Sequence, residues 1–203
     1  MAVWSASVKV IRGWRVLLAL LLAFSFSLST ICRSYAESTS DRRVKFGLTL
    51  FRSMLAADMN IMERKNEKGE FTILIVYGAN RKAAERSLDF LGRAGESDVL
   101  TIKDIPISLK MVPIGELERE KGHNVAGIFL AEQLFSGDFA SFVKFGVDGG
   151  LITYSPFEGD VEAGALGGLL VEAKVTPYIN AKTMNKSGVK IKPFFLGVAR
   201  TYE

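Results

Sequence analysis

The chain has 203 residues, with 26 Lys and Arg against 22 Asp and Glu, one histidine and one cysteine. That inventory excludes an intrachain disulfide and leaves no His/Cys cluster for a zinc ion. Without such staples the chain needs an ordinary hydrophobic core, and its length suffices to build one.

The chain opens with Lys9, Arg12 and Arg15, followed by an uncharged stretch from Val16 to Cys32 and the small-x-small step Ser34-Tyr35-Ala36. A basic start, an apolar middle and a small-residue exit predict a secretory signal peptide over 1–36, cleaved before Glu37. An uncleaved membrane anchor is the competing reading, disfavoured because the segment is short and turns Ser-rich from Ser25. A lipoprotein is disfavoured because Ile31 precedes Cys32 where a small residue is needed. The leader holds Lys9, Arg12, Arg15 and Arg33 and no acid, so removing these four from 26 leaves 22 basic against 22 acidic residues. The exported chain is then net neutral. The basic excess belongs to the leader and gives no indication of nucleic acid. The expected location is the periplasm.

Residues 37–203 read as one α/β domain. Val44 to Met62 places Val44, Leu48, Phe51, Met54, Leu55, Met59 and Met62 at helical spacing, a core-facing stripe rather than a metal or heme site. The apolar, β-branched run Phe71–Gly78 predicts a strand buried on both faces. Asn80 then caps an amphipathic helix, Arg81 to Arg93, with Ala83, Ala84, Leu88 and Leu91 on one side. Ile105 to Pro113 is a second strand, held toward a sheet edge by Pro106 and Pro113. Glu116 to Lys121 is a short charged helix or turn, and Asn124 to Leu130 a third strand. A helix over 135–145, with Phe135, Phe139, Phe142 and Val143 inward, is broken by Gly149-Gly150 before the strand Leu151–Tyr154.

Strand and helix alternate up to Tyr154, which favours a parallel sheet with right-handed crossovers. Beyond it, Leu169–Val171 and Lys174–Ile179 read as extended segments that suit a hairpin. Ala181 to Lys186 is a short helix ended by Gly188, and Pro193 to Tyr202 a final helix. The predicted fold is a mostly parallel open sheet with helices on both faces, C-terminal extended segments and a final helix.

Catalytic furniture is sparse. His123 lies in a polar turn, which favours solvent exposure over a role in a nucleophilic site. Gly164 to Gly168 matches neither a dinucleotide fingerprint nor a P-loop, and no cofactor or metal is expected. In open α/β sheets ligands sit beyond the carboxyl ends of the strands. That rule points to Asn80 and Arg81, Glu132 and Gln133, and Tyr154 and Ser155, with the helix N-terminus at Asn80 suited to an anion. A non-enzymatic protein acting by contact is the first functional reading, a small-solute binding protein the second and an unmarked hydrolase the third. The C-terminal segment offers a contact surface. Phe194 and Phe195 are adjacent, so in a helix they diverge by about 100° and only one can face a given core.

Several stretches together resemble the YfiR family of periplasmic proteins. They are Tyr178-Ile179-Asn180-Ala181-Lys182, Lys186-Ser187-Gly188-Val189-Lys190-Ile191 and Phe195-Leu196-Gly197-Val198-Ala199, with the strands Val125–Leu130 and Gly149–Ile152 before them. The resemblance implies a regulator that binds a membrane protein with a periplasmic domain and restrains its cytoplasmic cyclic-di-GMP synthesis. It leaves a homodimer open. Family members carry disulfide cysteines, whereas this chain has none after Cys32. The Gly-rich segment Gly159–Gly168 also departs from the family's pattern.

Overall fold

The computed structural model describes residues 40–93 and 100–203. The proposed leader lies outside the described residues. Residues 43–203 form one compact unit. The other unit ends at residue 42, and its three described residues, 40–42, are helical.

The sheet of the compact unit has eight strands in the order β2-β3-β1-β4-β5-β6-β7-β8. These are β1 (Phe71–Tyr77), β2 (Thr101–Ile102), β3 (Ile105–Pro113), β4 (Gly127–Leu130), β5 (Ile152–Ser155), β6 (Gly167–Val171), β7 (Val175–Asn180) and β8 (Arg200–Tyr202). All neighbours are parallel except β2–β3 and β6–β7. The mostly parallel α/β sheet expected from the alternation is therefore present, and the extended segments after Tyr154 do form a hairpin.

Helices cover both faces. On one, α1 (43–57) and α2 (Arg81–Arg93) bury Phe51, Leu55, Ala84 and Leu91 against Ile73 and Ile75 of β1 and Phe129 of β4. On the other, α3 (Ser136–Gly149) buries Phe139, Phe142 and Phe145 against Leu74, Val76, Ile128 and Leu130. Alternate residues of β1 thus feed two cores, which is why the run reads as continuously apolar. Phe51, Phe129 and Tyr154 meet with ring centroids 5.5–5.8 Å apart at the centre of the first core. Gly127 and Gly167 let α1 approach. A Cβ on Gly127 would lie 2.7 Å from Leu55 Cδ2, and one on Gly167 would lie 2.6 Å from Met54 Sδ.

Three expectations are corrected. The helix read to Met62 stops at residue 57, because Asp58 bridges to Ile191 and the chain turns into a 3-10 segment, Ile61–Arg64. Met59, 56% exposed, and Met62 therefore leave the core stripe. Phe135 is 88% exposed, since it precedes α3 in extended conformation instead of joining its buried face. The final helix is one turn, α4 (Pro193–Leu196); residues 200–202 instead pair with β7 as β8. A ladder along Tyr178–Asn180 outcompetes continued helix there. In addition, β2 and β3 form a hairpin, not read from the sequence, whose turn, Lys103-Asp104, has positive φ at both residues. That is the hairpin-turn conformation usually marked by Gly or Asn, and neither occurs here.

Candidate functional site

The strand order reverses between β1 and β4, with β3 on one side and β5 on the other, so the crevice beyond their carboxyl ends is the geometrically expected site. It is occupied by the chain itself. The Glu132 carboxylate accepts the N–H groups of Gly78 and of Asn80, the latter at 2.8 Å. Asn80 contributes its backbone carbonyl to the first turn of α2, accepting from Ala83 at 2.9 Å. The anion that a helix N-terminus attracts is thus built in.

The other predicted site residues disperse. Arg81 pairs with Glu85 at 3.0 Å along the exposed face of α2, and Gln133 is exposed. Tyr154 and Ser155 are fully buried. The Tyr154 hydroxyl has no hydrogen-bond partner among the described residues, and burial pushes the phenol well above its usual range. Ser155 Oγ donates to Asp160 at 2.5 Å and accepts from the Phe157 N–H. Burial raises the Asp160 carboxyl above the usual range, against the pull of that bond. These two residues secure the β5–β6 crossover loop. Of the two proposed interface residues, Phe195 is buried at 4% exposure and Phe194 stands out at 67%.

An open cavity lies at the opposite end of the sheet. A cleft of about 450 Å³ sits beside the amino ends of β4 and β5, bounded by Asn60, Glu63 and Arg64, by the 120–125 segment, and by Phe145, Asp148, Gly149 and Leu151. A second cleft, about 580 Å³, adjoins it and shares Glu120, Gly122, His123 and Asn124. His123 is exposed, as its polar turn predicts.

Sequence-local events build the first cleft. Gly150 closes α3 in left-handed conformation (φ +60°), turning the chain into β5. Residues 57–59 are stitched to 190–192 by the Lys192 N–H on the Ala57 carbonyl and the Met59 N–H on the Lys190 carbonyl, each 2.9 Å. Asp58, 1% exposed, accepts from the Asn60 N–H at 2.9 Å and from Arg64 Nε at 3.3 Å. Arg64 Nη2 donates onward to the Gly150 carbonyl at 2.5 Å. Arg64 is thus held at both ends, by a buried carboxylate and by the C-terminus of α3, where a cation is favoured.

Charge around the cleft is balanced. Glu120 pairs with Lys110 at 2.7 Å. Asp148 pairs with Lys144 at 2.6 Å and lies 3.9 Å from Lys121. The Lys144 ammonium is pushed up and the Asp148 carboxyl down, first by their mutual hydrogen bond. Asn124 Nδ2 donates to the Lys65 carbonyl at 2.9 Å, tying the 120–125 wall to the turn after Arg64. No group of three or more His, Cys, Asp or Glu suited to a metal occurs among the described residues. No helix among them is long and apolar enough to cross a membrane.

Sequence reasoning set His123 aside as an exposed turn residue and did not name Asn60, Glu63, Arg64 or Asn124 as site residues. The first three lie in or next to a stretch read as continuous helix. Asp58 followed by Asn60 was the available signal, since both residues favour turns and caps over helix interiors.

No family model and no curated relative matches the chain. Among the solved structures similar to the chain are these two. One is the ABC domain in complex with L-Trp from Streptococcus pneumonia, at a TM-score of 0.45 and 13% identity over 73% of this chain and 61% of that one. The other is the ligand-free, open structure of a substrate binding protein with adhesive properties from Clostridium difficile, at 0.48 and 13% over 77% and 58%. The chain spans about three-fifths of the length of each.

Proposed function

We propose that this is an exported, non-enzymatic protein that binds a small polar solute in the amino-end cleft. The observation that carries this reading is the cleft itself. Its volume of about 450 Å³ lies within the range of small-molecule sites, and its polar walls converge from three separate segments. The fixed Arg64 supports it further, because an immobilised side chain loses little entropy on gaining a ligand.

A thermal-shift screen of small polar solutes tests the proposal. A ligand that binds only the folded state stabilises it by RT ln(1 + [L]/Kd), about 2.7 kcal/mol at a hundredfold excess over Kd. The shift should saturate and should be lost in His123→Ala/Asn124→Ala, both exposed positions. A shift unchanged in that double variant would place binding elsewhere.

One observation favours a second reading, regulation through protein contact as the YfiR resemblance implies. Phe194 is two-thirds exposed beside a buried Phe195. In that reading the partner is a membrane protein with a periplasmic domain, or a second copy of this chain. Crosslinking in the periplasm tests it: loss of the crosslinked species in Phe194→Ser supports it, and an unchanged pattern counts against it.

A further inference from the structure

The charges of the cleft narrow the chemistry of its ligand, given the solute-binding reading above. Five charged side chains line it: Glu63, Glu120 and Asp148 against Arg64 and Lys121. Glu120 is already neutralised by Lys110, which stands outside this cleft. That leaves two acids and two bases. Three of the four have outer partners, with the Asp58 carboxylate behind Arg64, the Glu118 carboxylate 3.6 Å from Lys121 and the Lys144 ammonium beside Asp148.

A ligand of one sign would lie beside charges of its own sign as well as the opposite one. A neutral ligand would have to displace water from all four charges. A ligand carrying both signs meets neither penalty.

Arg64 sharpens the assignment. A guanidinium has five N–H bonds in a fixed fork. Asp58 takes one from Nε and the Gly150 carbonyl one from Nη2, which leaves three. Asp58 is buried and also accepts from the Asn60 N–H, so the fork cannot swing away without stranding a buried carboxylate. A bare strut between the 58–64 turn and α3 would need only the two bonds already made. Arg64 lines the cleft, and a planar fork suits a carboxylate.

We infer that the cleft takes a small zwitterion, with its carboxylate on Arg64 and Lys121 and its ammonium toward Glu63 and Asp148. The probes are the common free α-amino acids, each tested singly by calorimetry and thermal shift, beside a set of neutral mono- and disaccharides. For any amino acid that binds, its carboxamide and its N-acetyl form follow, since each removes one charge and keeps the side chain. The expected result is saturable binding by at least one free amino acid, weakened roughly a hundredfold in both derivatives, the lower end of the loss when one partner of a hydrogen-bonded charge pair is removed.

Arg64→Lys keeps the charge and loses the fork, and should weaken binding roughly tenfold. Lys121→Gln, at an exposed position, should weaken it with the melting temperature unchanged, so the test does not depend on the stability of the Arg64 variant. Equal binding of the free acid, amide and N-acetyl forms would overturn the zwitterion assignment. So would a response to saccharides alone, although solute binding would then stand. No response to either set would overturn both.

Discussion

At the carboxyl ends of β1 and β4 the chain supplies its own anion, Glu132, to the free N–H groups of Gly78 and Asn80. At the amino ends of β4 and β5 a comparable set of polar groups faces a cavity of about 450 Å³. Both ends hold carboxylates and backbone donors, so composition does not separate them. The difference is closure. Glu132 reaches across to the strand beside its own, whereas Arg64, held by Asp58 and the Gly150 carbonyl, lines a cleft that stays open. A topological rule for ligand sites states where backbone geometry is favourable; occupation by an internal side chain decides whether the place is free.

The sharpest way to break this contrast is at the amino end. Arg64→Ala leaves Asp58 buried without its cation and should cost about 3 kcal/mol in urea unfolding. A loss below about 1 kcal/mol would mean that the pair does not hold the cleft wall.

Glu132→Ala is the matching change at the other end. It strands the Gly78 and Asn80 N–H groups, but these lie near solvent, so about 1–2 kcal/mol is expected. The same variant should bind simple anions where the native protein does not, which phosphate titration by NMR would detect at the Gly78 and Asn80 amides.

Asp160, in the loop after β5, gives a pH signature. Its carboxyl is held above the usual value of 3.8, mainly by burial. The folded state therefore binds this proton more tightly than the unfolded state does. Its contribution is greatest at acid pH and falls as pH rises from about 3.8 through the raised value. Asp160→Asn removes this dependence, so its stability relative to the native protein should improve across that window and then level off. A difference independent of pH, measured by denaturant titration from pH 3.5 to 7, would contradict the burial argument.

The smallest expected effect is that of Phe194→Ser. The side chain is exposed, so stability should change by less than about 0.5 kcal/mol. A large fall in melting temperature would show that Phe194 is covered in solution.

The sequence was most legible where one local pattern met no competitor. Arg81–Arg93 forms a helix with those bounds, because a glycine-ended strand precedes it and its apolar side is continuous. The β6–β7 hairpin and the stop at Gly150 were readable for similar reasons. The segment 193–202 misled because its apolar spacing also suits a helix, while the competing partner, β7, is visible only in three dimensions. The candidate site was least legible. It is assembled from residues near 60, 122 and 148, and no spacing along the chain announces that these three turns meet.

The bridge between Asp58 and Ile191 joins residues far apart in sequence. A chain delivered N-terminus first reaches residue 58 long before residue 191, so the turn that carries Arg64 cannot take its final form until the distal segment docks. Closing that loop has an entropic cost that local helices escape, which places it late among the folding events. The cleft wall would then be completed at the end of folding, and half-folded molecules would have no assembled cleft.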